Sequence, residues 1–163
     1  MRISHIVFLL WLSCHLAQAQ VRPKELINQV QGTFEWEMRK PSSNTVISQG
    51  ERTSSPYFEG QLFMFRETFL DSDIEQVGFF GYDNQTKHVI SVGLYNIDMG
   101  PHILKGTVEK VVQGYQVTFF ESDKRIVLHI KDRDHHFWKY YSKLDVGWSQ
   151  DDLQIDFHRK TKD

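Results

Sequence analysis

From Gly32 onward the chain alternates apolar and polar residues with a period of two, and nothing else in it restricts the possible folds as much. Phe34, Trp36 and Met38 alternate with Thr33, Glu35, Glu37 and Arg39. Successive side chains of an extended strand point to opposite faces, so this stretch has one dry face and one wet face. Thr45–Ser54, Phe58–Leu70, Val77–Tyr82, His88–Asn96 and Ile103–Lys110 read as further strands. Tyr115–Ser122, Arg125–Lys131, His136–Lys143 and Leu153–Arg159 complete the series. Turn-forming groups separate many of them, among them Pro41-Ser42-Ser43-Asn44, Asp83-Asn84-Gln85-Thr86, Gln113-Gly114 and Asp132-Arg133-Asp134. Short strands at intervals of about 8–12 residues with tight turns describe an antiparallel meander.

One helical signal precedes the strands, between Gln20 and Gln31. Pro23 suits a first helical turn, Leu26, Ile27 and Val30 recur at helical spacing, and Gly32 ends the pattern. With no second helix to make crossovers, a parallel α/β sheet is excluded. A meander of this length removes its edge strands most simply by closing on itself. A sandwich is the structural alternative, but the chain shows little sign of long crossovers and has no cysteine pair. The expected fold is all-β, an antiparallel up-and-down barrel of about ten strands with a short N-terminal helix.

The first nineteen residues read as an address. Arg2 precedes the apolar run Ile6–Leu12, and Ala17-Gln18-Ala19 places small residues where a signal peptidase needs them. This predicts a cleaved signal peptide at 1–19 and a single domain at 20–163. The apolar run is shorter than the ~20 residues that cross a bilayer, and no later segment is apolar enough. Cys14, the one cysteine, lies inside the signal. A lipid-anchoring signal would carry a small aliphatic residue where Trp11 stands, so soluble export is expected, periplasmic or secreted, from a Gram-negative bacterium. The mature chain would then have no disulfide, no cysteine-ligated zinc and no thiol nucleophile. Asn84-Gln85-Thr86 matches a glycosylation sequon, which in a bacterial protein is coincidence.

The order of three motifs carries a resemblance. Gly32-Thr33-Phe34 follows the short helix, Gly81-Tyr82-Asp83-Asn84 follows an apolar strand, and Asn96-Ile97-Asp98-Met99-Gly100 follows the next. In this order they resemble domain-of-unknown-function family 1579, exported proteins taken to adopt a lipocalin-like (calycin) barrel. The resemblance spans roughly Leu26 to Arg159 and implies that fold; it implies no activity. Barrels of the related nitrobindin type hold haem through a histidine late in the chain. Here the late histidine is His158, on the strand face opposite Leu153, Ile155 and Phe157. Glu35-Trp36-Glu37 stands in place of that family's Gly-rich opening, and no cofactor is expected.

The chain has 12 Phe, 6 Tyr and 4 Trp, more aromatic bulk than a small barrel core needs. A barrel of this size is either filled by side chains or holds one small ligand. The ligand reading nominates Phe34, Trp36, Met38, Phe65, Arg66, Tyr82, Phe119 and Phe157 as lumen residues. Strict alternation puts one of Arg66 and Glu67 inside, where it needs a partner. Both faces of Leu62–Phe65 are apolar, so one face packs on the helix or forms a dimer contact. Asp132-Arg133-Asp134-His135-His136 reads as a hairpin turn, because adjacent His135 and His136 point to opposite faces and cannot share an ion. Asp71-Ser72-Asp73 and Asp151-Asp152 lack calcium-loop spacing and also read as turns. His129 is expected outside and His88 and His102 have no evident partner. No Gly-x-Ser-x-Gly, His-Glu-x-x-His or phosphate-binding loop occurs, and no metal or catalytic residue is nominated. A net charge of -2 gives no field for nucleic acid. Three functions stay open: an exported barrel binding a small hydrophobic or amphipathic molecule, an interaction protein with a filled barrel, and a lumen enzyme using histidine and carboxylate.

Overall fold

The computed structural model describes residues 21–97 and 100–161. The proposed signal peptide with Cys14, and Asp98 and Met99 of the third motif, lie outside the described residues. The helix α1 spans Pro23–Val30 and is followed by β1 (Thr33–Lys40), β2 (Thr45–Tyr57), β3 (Leu62–Phe69), β4 (Glu75–Asp83) and β5 (His88–Tyr95). Then come β6 (His102–Lys110), β7 (Tyr115–Phe120), β8 (Lys124–Ile130), β9 (His135–Lys143) and β10 (Trp148–Arg159). Each strand pairs antiparallel with its sequence neighbours, and β1 pairs with β10, so the sheet is a closed up-and-down barrel of ten strands. Closure satisfies the strand edges that an open meander would leave exposed. No helix among the described residues is long and apolar enough to cross a membrane.

Two boundaries differ from the periodicity reading. β2 runs on to Tyr57, and Phe58–Gly60 forms a 3₁₀ turn with Phe58 and Glu59 at positive φ (44° and 56°). Periodicity places Phe58 at the start of the third strand; instead Ser55, Pro56 and Tyr57 find register partners in Met64, Phe63 and Leu62, so the hairpin turns later. β10 starts at Trp148 because Gly147, at φ 82°, lets the chain reverse straight after β9. Its register then slips between Gln150 and Gln154, a bulge that lets one long strand bend around the barrel.

α1 closes one end of the barrel. Pro23 starts it, Glu25 lies in its first turn where the helix dipole favours a carboxylate, and Leu26, Ile27 and Val30 are 0%, 0% and 3% exposed. Burial of these three side chains contributes on the order of 5 kcal/mol. Two polar contacts fix the plug. Tyr115 Oη donates to Glu25 Oε2 at 2.9 Å, and the Ser54 hydroxyl bridges Gly32, accepting from its N–H at 2.7 Å and donating to its carbonyl at 3.0 Å. Burial, and then the Glu25 carboxylate, push the Tyr115 phenol up to about 12. Beside the plug, Phe34, Val89, Tyr115, Val117 and Ile130 are at most 3% exposed. This half of the barrel is solid.

Candidate functional site

The other half is hollow. A cavity of about 150 Å³ lies among the strand ends remote from α1. Its wall includes His102, whose side chain is 44% exposed, so the hollow reaches the surface at that end. Aromatic rings supply much of the wall: Phe63, Phe65, Phe69, Phe80, Trp138 and Phe157. The rings can turn inward because glycines stand beside them. At Gly78 an added Cβ would come within 2.6 Å of Phe65 Cζ, and at Gly50 it would meet the Trp36 indole. Phe63 and Phe80 stack across the β3–β4 pair at 5.2 Å.

Besides Ser91 and the rim residue His102, five polar side chains share this wall: Arg52, Glu67, Gln76, Tyr95 and Tyr140. Arg52 on β2 and Glu67 on β3 are directly opposed in register. Arg52 Nε donates to Glu67 Oε2 at 2.6 Å, and Nη2 contacts the same oxygen. Their side chains are only 12% and 6% exposed. The guanidinium also sits over the Phe157 ring at 4.2 Å and the Phe65 ring at 4.9 Å. Aromatic faces attract a cation, and Arg is the cation that stacks best. Burial raises the Tyr95 and Tyr140 phenols above their ordinary value, helped by the Glu67 charge nearby, so both stay protonated and able to donate. Gln76 lies across Gly93, where an added Cβ would collide with its amide.

Of the nominated lumen residues, Met38, Phe65 and Phe157 line the cavity. Trp36 is buried with its ring edge against Phe69 at 4.7 Å. Phe119 stacks on Trp138 at 5.7 Å, and Trp138 supplies the wall instead. Phe34 belongs to the solid end, edge-on to His136 at 4.7 Å, and Tyr82 packs against the core there. Arg66 is on the outer surface, held by Glu75 at 2.7 and 2.8 Å, while Glu67 takes the interior place that alternation reserves for one of the two. Sequence reasoning passes over Arg52, Gln76, Tyr95 and Tyr140. For Arg52 a signal exists: it sits two residues from both Gly50 and Ser54, and all three share the inner face.

The histidines obey alternation. His158 is exposed, His135 lies on the same outer wall, and His136 is 1% exposed inside. Phe157 stacks on His136 at 4.6 Å, and neither ring nitrogen has a hydrogen-bond partner among the described residues. Burial, with Arg52 and Arg159 nearby, holds this imidazole neutral. His129 faces outward and stacks on Phe137 at 4.7 Å. His102 pairs with Glu121 at 3.1 Å at the cavity rim. In the cavity wall, therefore, the carboxylate Glu67 and the imidazole of His102 are each committed to another partner.

The outer wall carries one apolar row, in which Met64, Phe79, Val92 and Ile103 are register partners across β3 to β6. Met64, Phe79 and Ile103 are 44%, 40% and 61% exposed. No protein-family model matches this chain, and no curated protein matches it in sequence.

Proposed function

We propose that the protein is an exported barrel that takes one small molecule into its half-hollow lumen, with a body about the size of a single aromatic ring and a neutral polar head. The observation that carries this reading is a hollow of about 150 Å³ with seven polar side chains set among aromatic rings. An apolar hollow of about that size is large enough for benzene. The ligand's apolar body would pack on Phe65, Phe157 and their neighbours. The head would meet Gln76, Tyr95 and Tyr140. Because Arg52 and Glu67 already neutralise each other, a charged head would enter a low-dielectric site with no counter-ion to spare. A hydroxyl, carbonyl or amide fits this wall better than a fatty-acid carboxylate. A haem macrocycle is far larger than the hollow, and His158 does not face it.

The test is thermal unfolding with phenol, benzyl alcohol and benzamide, set against benzoate and benzylammonium. The neutral polar compounds raise the midpoint and the two ions do not. Leu104→Trp, which fills the cavity from its own wall, removes the response. A neutral series without effect, or a response that survives Leu104→Trp, ends this reading. Export itself is tested by N-terminal mass spectrometry of the protein recovered outside the cytoplasm, where Gln20 is the expected first residue.

A second reading, an interaction protein acting through its outer wall, is favoured by the row Met64–Phe79–Val92–Ile103. If that row pairs two copies, the mass in sedimentation rises with concentration and Phe79→Lys returns it to monomer.

A further inference from the structure

We propose that His135, Asp156 and His158 form a binding site for a late first-row divalent cation such as Zn²⁺, on the outer wall of the barrel. The site arises from strand pairing. His135 on β9 is directly opposite His158 on β10, and Asp156 precedes His158 by two residues and so shares its face. One ligand atom from each residue lies within 4.8 Å of the others. His135 Nε2 is 3.4 Å from Asp156 Oδ1. Tetrahedral zinc with bonds of ~2.0–2.1 Å holds its donors about 3.3 Å apart, so this pair is already at ligand spacing. The His135 and His158 rings are parallel within 7° at 4.5 Å, and a tilt of the exposed His158 ring completes the set.

Two further features suit a metal. Asp156 is only 7% exposed, and its carboxylate is held by two neighbours: Gln154 Nε2 donates to Oδ1 at 3.0 Å and Oδ2 at 2.8 Å, while Arg39 Nε is 3.5 Å from Oδ2. Outer partners of this kind fix the orientation of ligating groups. A surface depression of about 320 Å³ fronts the cluster and leaves room for water as a remaining ligand. Arg39 is the competing cation, but Glu37 shares it. Two imidazoles and one carboxylate select zinc, nickel, cobalt or copper over magnesium and calcium, which want all-oxygen shells. The site faces away from the lumen and does not depend on the ligand proposed there.

The experiment is a calorimetric titration of the chelator-stripped protein with Zn²⁺ near neutral pH, with Mg²⁺ as the comparison. Wild type binds Zn²⁺ one to one and ignores Mg²⁺. The His135→Gln/His158→Gln double variant binds at least ~10–100-fold more weakly, since losing ligands costs no less than losing their outer partners. Imidazole NMR signals of His135 and His158 shift on Zn²⁺ addition, and those of His102 and His129 do not. If the double variant fails to fold, His158→Gln alone, at an exposed position, shows the same weakening. A wild type without stoichiometric Zn²⁺ binding, or a variant that binds as tightly as wild type, overturns the proposal.

Discussion

Arg52 and Glu67 form a buried ion pair inside a cavity, and separating their charges tests the interior as described. Consider Glu67→Leu. Arg52 loses its only carboxylate partner among the described residues. Breaking a buried pair from one side costs about 3–5 kcal/mol. The Phe157 and Phe65 faces retain part of the cation's stabilisation, so a loss of about 3 kcal/mol is expected. Arg52→Met strands the Glu67 carboxylate with no aromatic face to help it, so its loss should lie higher in that range, at about 4–5 kcal/mol. The Arg52→Met/Glu67→Leu double variant has no buried charge and should lie within about 1 kcal/mol of wild type, or above it. Urea denaturation of wild type and all three variants measures this. In a domain of this size a loss of about 3 kcal/mol lowers the midpoint temperature by roughly 6–12 °C. Additive single losses, with the double variant worse than either, would falsify the buried pairing.

Three further outcomes test other parts of the molecule. Ser54→Ala removes both hydroxyl contacts to Gly32 and should cost about 1–2 kcal/mol, with faster amide exchange in α1 than in β7; equal exchange in both would deny the hydroxyl its role in holding the plug. His136→Phe replaces an imidazole that lacks partners among the described residues with a ring that keeps the Phe157 stack; a gain of about 1 kcal/mol is expected, and a loss beyond about 2 kcal/mol would mean that the nitrogens are satisfied. Burial, with Lys139 and Lys131 nearby, lowers the His129 pKa, so the folded state binds this proton less readily than the unfolded one. Stability is then lost as pH falls below about 6.5, and His129→Gln should flatten that decline; an NMR titration of His129 with its midpoint above about 6.5 contradicts the assignment.

Alternation reveals faces, and along almost the whole chain it does so correctly: ten strands, one helix, one of Arg66 and Glu67 inward, His135 and His136 on opposite sides. What it cannot reveal is register, because a strand's own sequence does not say which residue of its neighbour stands beside it. Arg52 meets Glu67, and His135 meets His158, only through pairings set by hairpin turns and by bulges such as the one between Gln150 and Gln154. A one-residue slip would exchange inside for outside, and a two-residue slip would keep every face correct while dissolving both clusters. Depth along the barrel is hidden for the same reason. Phe34 and Phe157 are both inward aromatics, yet one fills the helix-plugged end and the other lines the hollow. Their difference comes from α1, whose three apolar residues complete one end of the core and leave the other end without a counterpart. The plug therefore does two things at once. It supplies the stability that a partly empty barrel forgoes, and it leaves a lumen whose contacts with solvent lie at the remote end, where Tyr95, Tyr140 and Gln76 stand.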